Sequence, residues 1–361
     1  MFEFITNKVF TIKMRHLFHP FFLIILAGIL FTSCDSPKAV EVQAPLGWNI
    51  LETPTKSSIR GLSPLTKDIA WATGSNGLWM LTVDGGVSWK HGVIDDLDTV
   101  DFRDVEAFSA STAIAVSAGQ PAVIYKTTDS GKTWVKKYQG PKEAFLDGLA
   151  FIDDRRGYAY GDPVGNRWML LLTLNGGETW EPLKTTPKVP KGEASFAASG
   201  SGILAKGQKI WIASGGIKSN IYYSEDGGVD WDTIPTPILQ GEPSQGIFSM
   251  NFVNKKTIIA VGGDYKNPDH KKDNITLSFD EGINWQKPKG TGPSGFRSGV
   301  DYFQEFGWLI TVGTNGSDFS KDGGQNWSKF SDITLHAIKK SKSGGTIWAS
   351  GPDGRVATLD Y

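Results

Sequence analysis

The chain has 361 residues, 37 basic and 38 acidic side chains, and one cysteine. Balanced charge without a basic stripe excludes a nucleic-acid partner. A single cysteine excludes a disulfide framework and a haem-attachment pair. A core drawn from more than 300 residues is large enough to fold without such staples.

Residues 1–33 read as a signal peptide, with Met14 as an alternative start. Met14-Arg15 supplies a basic opening, an apolar run follows, and small residues precede Cys34. The run is too short and wrongly flanked for a comfortable membrane span. Thr32-Ser33-Cys34 resembles a bacterial lipoprotein lipobox, which makes Cys34 the expected lipidation site; Phe31 departs from the usual aliphatic residue. Residues 34–45 then form a polar tether, and residues 46–361 form the folded domain.

Within that domain Gly47-Trp-Asn-Ile-Leu-Glu52 reads as a lone outer strand. Six copies of Ser/Thr-x-Asp-x-Gly-x-x-Trp follow. Their acidic or amide positions are Asp84, Asp129, Asn175, Asp226, Asp280 and Asp322, spaced 42 to 54 residues apart. Their aromatic positions are Trp89, Trp134, Trp180, Trp231, Trp285 and Trp327. A repeat of roughly 40–50 residues is the size of a four-stranded propeller blade. Between copies lie short runs rich in Val, Ile, Trp, Tyr and Phe, broken by Gly, Asn, Asp and Pro. The repeated residues suit a turn between the third and fourth strands. The carboxylate and hydroxyl accept backbone N–H bonds, glycine supplies a positive φ, and tryptophan wedges beside a neighbouring blade.

After the sixth copy, the stretches from His336, Thr346 and Arg355 read as three more strands. They complement the lone strand at the start. The predicted fold is all-β: a seven-bladed propeller of four-stranded blades, with the N-terminal strand closing the last blade.

The repeated turns occupy one face, so binding residues are sought on the opposite, top face, where irregular loops and the starts of the innermost strands meet. The candidates are Arg60, Arg103, Asp104, Asp162, Glu193, Glu242, Asp264, Tyr265, Arg297, Asn315 and His336, with Asp147 near the same mouth. Arginines among carboxylates can hold a carboxylate, sugar or peptide by bidentate bonds. Equally, they can pair with one another as structural salt bridges. Histidines at metal-ligand spacing are lacking, so no metal and no cofactor is expected. Gly200-Ser-Gly202-Ile-Leu-Ala205 fits a loose dinucleotide string, but an all-β blade offers it no helix N-terminus.

The repeated turns resemble bacterial neuraminidase (Asp-box) repeats. The ring as a whole resembles the photosystem II stability/assembly factor-like propellers, in particular their exported bacterial relatives. Gly161-Asp162-Pro163, Gly192-Glu193, Phe196–Gly200, Gly246–Ser249, Val261–Tyr265, Phe296–Ser298 and Val312–Gly316 carry the likeness, over about residues 46–361. The resemblance implies a non-catalytic, assembly-factor-like role, although some relatives carry an oxidoreductase label. The expected protein is therefore a monomeric cell-envelope lipoprotein. It would be anchored to a bacterial membrane, facing the periplasm or cell surface, and bind a protein, peptide or glycan through its top face. The alternative is a sialidase-like glycoside hydrolase using the same funnel. A sialidase needs three arginines, a Tyr–Glu nucleophile pair and an early Phe/Tyr-Arg-Ile-Pro stretch, where this chain has Ile59-Arg60-Gly61-Leu62.

Overall fold

The structure is a computed structural model that describes residues 44–95 and 97–361. The expected signal peptide, Cys34 and nearly all of the expected tether lie outside the described residues. The rest is all-β: seven antiparallel sheets form the blades of one propeller. The first blade is typical, with strands Ile59–Pro64, Ala70–Gly74, Leu78–Thr82 and Lys90–Val93 from the axis outward. The inner strands are buried along their length and the outermost one is exposed. This is why the inner runs read as continuous apolar stretches rather than alternating ones.

Ring closure joins the two ends. Strand Gly47–Leu51 pairs antiparallel with Val356–Asp360 in the order Gly47↔Asp360 to Leu51↔Val356. It supplies the fourth strand of the sheet containing Ala337–Lys340 and Ile347–Ser350. Trp48 is buried against the sixth blade, and its indole N–H donates to Ser317 Oγ at 3.0 Å.

Seven apolar clusters fill the seven interfaces between blades. Trp71, Trp79, Trp134 and Phe102 form the one between the first two blades, and Trp348, Val356 and Ile59 the one that closes the ring. The fifth blade departs from the four-stranded pattern. Its outermost strand shrinks to a single bridge between Leu277 and Gln286. Two short strands, Gly215–Gly216 and Glu193–Ala194, extend its inner edge instead.

The six turns share one hydrogen-bond pattern. In the second copy the Thr127 hydroxyl donates to Asp129 Oδ1 at 2.9 Å and accepts from Gly131 N at 3.0 Å, while Asp129 Oδ1 accepts from Thr133 N at 2.9 Å. Asn175 keeps this arrangement through its amide oxygen. Its Nδ2 donates to Thr179 Oγ1 at 2.9 Å, where a carboxylate would accept. The glycine after each acidic residue's neighbour has a φ of 79 to 93° and sits against the preceding blade. A Cβ on Gly131 would lie 2.4 Å from the Trp79 ring, so glycine is required for two independent reasons. Thr127→Val keeps the shape of a fully buried side chain but removes the hydroxyl that organises the turn. We expect a loss of about 1–3 kcal/mol in urea unfolding; an unchanged midpoint would contradict this role for the hydroxyl.

Candidate functional site

Four blades share an irregularity at the start of the innermost strand. The pairing register slips between Ile59 and Gly61, Phe102 and Asp104, Leu146 and Gly148, and Ile247 and Ser249. The residues at the slips are Arg60, Arg103, Asp147 and Phe248, and all four line one axial funnel of about 380 Å³ at the top face. A bulge adds one residue to a strand and re-aims its side chain. Here the same device, used four times, turns side chains out of the blades and toward the axis. Six of the seven blades contribute to the wall, with Asp162, Tyr265, Thr314 and His336 among the other lining residues.

The funnel is closed below. Residues 195–201, between Glu193–Ala194 and the strand Ile203–Lys206, cross the axis as a plug. The Ala198 carbonyl accepts from Arg60 Nη1 at 3.3 Å, Ser199 Oγ donates to Ser298 O at 2.7 Å, and Ser201 O accepts from Met250 N at 2.8 Å. Gly200 has φ +66°, and a Cβ there would fall 2.2 Å from the Asp104 carboxylate. The plug therefore touches the first, second, fifth and sixth blades, and its own Phe196 and Ala198 line the funnel floor.

One side of the funnel is cationic. Arg103 Nε is paired with Asp101 at 2.7 Å, leaving its terminal nitrogens without a protein carboxylate. Arg60 is half-buried and, among the described residues, forms no ion pair; its one side-chain bond there is to Ala198 O. Burial first, then the charge of Arg103, lowers the Arg60 guanidinium to about 10, with Asp101 opposing. Arg60 nonetheless remains charged at neutral pH. Burial, followed by Arg60, Arg103 and Arg355, pushes His336 down to about 3, so its imidazole is neutral.

Beside them, on the third blade, are Asp162 and Asp147. Asp162 Oδ1 accepts from Ser195 N at 2.9 Å, and burial raises its carboxyl above the ordinary range. Asp147 is buried with neither oxygen hydrogen-bonded. Its desolvation, reinforced by the Asp162 charge, raises it well above a normal carboxylate, against the pull of Arg103.

His336 makes the stability pH-dependent. Its folded value lies below the unfolded one, so the unfolded chain binds the proton first as the pH falls. Stability from this group is complete above pH 6.5 and is lost between 6.5 and about 3, by an amount on the order of a few kcal/mol. Asp104, Asp147 and Asp162, whose carboxyls are raised, act in the opposite sense and are common to both proteins in a comparison. We expect His336→Gln to lose less stability than the parent between pH 6.5 and 4 in chemical unfolding. Parallel pH profiles would contradict the assignment.

Of the eleven candidates from the sequence, Arg60, Arg103, Asp162, Tyr265 and His336 line the funnel, and six do not. Arg297 departs most from its expected placement. It is fully buried, with Nε 2.7 Å from Asp318 Oδ2, Nη2 2.8 Å from Ser294 Oγ, and Nη1 on the Phe296 and Asn315 oxygens. It precedes a strand, Gly299–Phe303, whose register has no slip, so its side chain stays inside the blade. Asn315 belongs to the same network and donates to Pro268 O at 2.8 Å.

Asp104 lies beneath the plug, accepting from Val105 N at 2.9 Å and Leu149 N at 2.8 Å; burial raises it to about 7. Glu193 is buried, accepting from Asn220 Nδ2 at 2.9 Å and from the Ser214 hydroxyl. Asp264 caps its own turn through Lys266 N at 2.9 Å, and Glu242 sits on an exposed turn outside the funnel. The sequence reading missed the aromatic wall of Phe145, Phe196, Phe248 and Phe296. An inner-strand start of the form apolar-x-Gly/Ser/Asp, repeated at Ile59, Phe102, Leu146 and Ile247, was the available signal. No group of three or more metal-ligating side chains occurs among the described residues.

Fold and site together define a seven-bladed propeller whose axial funnel is plugged from below and fed by bulged inner strands. Residues 40–142 match the family described as photosynthesis system II assembly factor YCF48. The chain is 22% identical over 298 residues to the photosystem II assembly lipoprotein Ycf48 of Synechococcus sp. (strain CC9902), covering 73% of this chain and 85% of that relative. Two solved structures are similar at 18% identity. One, YCF48 bound to D1 peptide, has a TM-score of 0.60 over 87% of this chain and 95% of that one. The other, YCF48 from Cyanidioschyzon merolae, has a TM-score of 0.59 over 88% and 99%. The chain is thus a β-propeller similar in sequence and fold to photosystem II assembly factors.

Proposed function

We propose that this propeller is a non-catalytic binding protein of the cell envelope that holds an unstructured segment of a protein partner in its axial funnel. The observation that carries the reading is Arg60. It is a half-buried guanidinium without a carboxylate partner among the described residues, beside the terminal nitrogens of Arg103, which have none there either, in a cavity floored by the plug. Placing two cations together under neutral His336 costs desolvation and repulsion, which an anionic ligand group would offset through charge-assisted bonds. A similar fold, YCF48, has been solved with a D1 peptide bound. That supports a peptide over a glycan as the ligand class. The glycosidase alternative needs two carboxyls that can reach a substrate, and both Asp147 oxygens are buried beneath the funnel surface.

The envelope location rests on the signal-like residues 1–33 and on Cys34, and is supported by the lipoprotein name of the Synechococcus relative. On this reading residues 34–45 tether a monomeric propeller to a membrane. The binding role is tested by co-purification from the producing cells. Arg60→Ala/Arg103→Ala should lose the partners that the parent recovers, at equal protein level and unchanged thermal stability. Equal recovery would remove the cationic funnel from the account.

A further inference from the structure

The seven interfaces between blades each have their own apolar core, yet there is an eighth cluster on the funnel, formed by Ala198, Phe248 and Phe296 with Phe196 against them. Phe196 and Phe248 stack at 3.8 Å and 11°, and Phe296 meets Phe248 edge-on at 4.7 Å and 88°. Tyr265 is 46% exposed and stands edge-on to both stacked rings. The seat is built for them: a Cβ on Gly215 would lie 2.4 Å from the Phe196 ring. Phe248 and Phe296 are buried and back the cluster, while half-buried Phe196 and exposed Tyr265 present its aromatic surface to the funnel that all four line, and an apolar lining beside a few polar groups is the usual make-up of a ligand site.

Resting on the binding role proposed above, we infer that this aromatic wall is a specificity subsite. It takes a large apolar side chain of an extended peptide whose neighbouring Asp or Glu side chain meets Arg60 and Arg103. Charge complementarity selects the acid, because Arg60 has no carboxylate partner among the described residues. The size of the cavity selects the segment: about 380 Å³ is near the lower end of ligand cavities, room for a pair of side chains and not for a folded module. The plug closes the floor, so side chains enter from a chain passing over the mouth.

A display library of random heptapeptides, tethered at both ends so that no free carboxyl terminus is present, tests this directly. The parent protein should enrich sequences in which Asp or Glu adjoins Phe, Tyr, Trp, Leu or Met. A synthetic enriched peptide with both ends capped should bind about tenfold or more weakly to Phe196→Ala and to the surface variant Tyr265→Ser, and lose a similar factor when its own apolar residue becomes Ala. Arg103→Gln should weaken it as well. Enrichment for acidic residues alone, with binding unchanged by Phe196→Ala and Tyr265→Ser, would overturn the aromatic subsite while leaving the cationic funnel in place. Binding confined to peptides with a free carboxyl terminus would overturn the acidic side chain as the anchor. No enrichment, or enrichment indifferent to Arg103→Gln and to both aromatic variants, would overturn this inference and the binding role together.

Discussion

Arg297→Ala is expected to destabilise the protein by about 3–5 kcal/mol, the cost of leaving one member of a buried ion pair without its partner. Asp318 is 1% exposed and takes two Arg297 nitrogens on one oxygen. Without the guanidinium its carboxylate would be stranded in the sixth blade. Arg297 also ties together Ser294, Phe296 and Asn315, and through Asn315 reaches Pro268 and Asp269 of the fifth blade. Asp318→Ala alone should be as harmful, whereas the double variant Arg297→Met/Asp318→Leu should recover much of the loss, since an apolar pair avoids the desolvation of both charges. Urea unfolding of the three variants measures this. A near-neutral Arg297→Ala would mean that the network is not structural and would return Arg297 to the list of ligand-binding candidates.

The second large effect concerns closure of the ring. Trp48→Ala should cost about 3–5 kcal/mol, because a buried indole is lost from the last interface together with its bond to Ser317. Deleting residues 46–53 should do more. It would strip the whole fourth strand from the last blade and leave Val356–Asp360 as an open edge ready to pair with another chain. A lower and broader thermal transition with concentration-dependent aggregation is the expected result. A truncated chain that melts as high and as cooperatively as the parent would contradict closure by this strand.

The architecture was legible in the sequence because its determinants are local and repeated. The turn needs a hydroxyl, an acceptor, a positive-φ glycine and a tryptophan at fixed offsets, and six copies at blade spacing count the ring. The complementary ends supplied the seventh blade. The site was only partly legible. Blade alignment brought Arg60, Arg103 and His336 to the mouth, because equivalent positions on a ring converge on its axis. It also brought Arg297, and there it failed: alignment places a residue at the strand start, but a bulge decides whether its side chain faces the axis. Arg60 and Arg103 sit at register slips and Arg297 does not. The plug was not legible at all. Nothing within the seven residues 195–201 shows that their partners are Arg60, Asp104, Met250 and Ser298. The aromatic wall was missed for the same reason, since Phe196 comes from the plug, Phe248 from a bulged inner strand and Phe296 from the segment before the next inner strand, and they meet only in the folded ring.

The central claim is that partners are held at the funnel and not at the face bearing the repeated turns. A photoreactive side chain placed at Tyr265, and separately at Val87, tests it most directly. Both positions are exposed, at 46% and 86%, and they lie on opposite faces. Irradiation of intact cells producing each variant should give a discrete crosslinked partner from position 265 and none from position 87. A crosslink from position 87 alone would contradict the account.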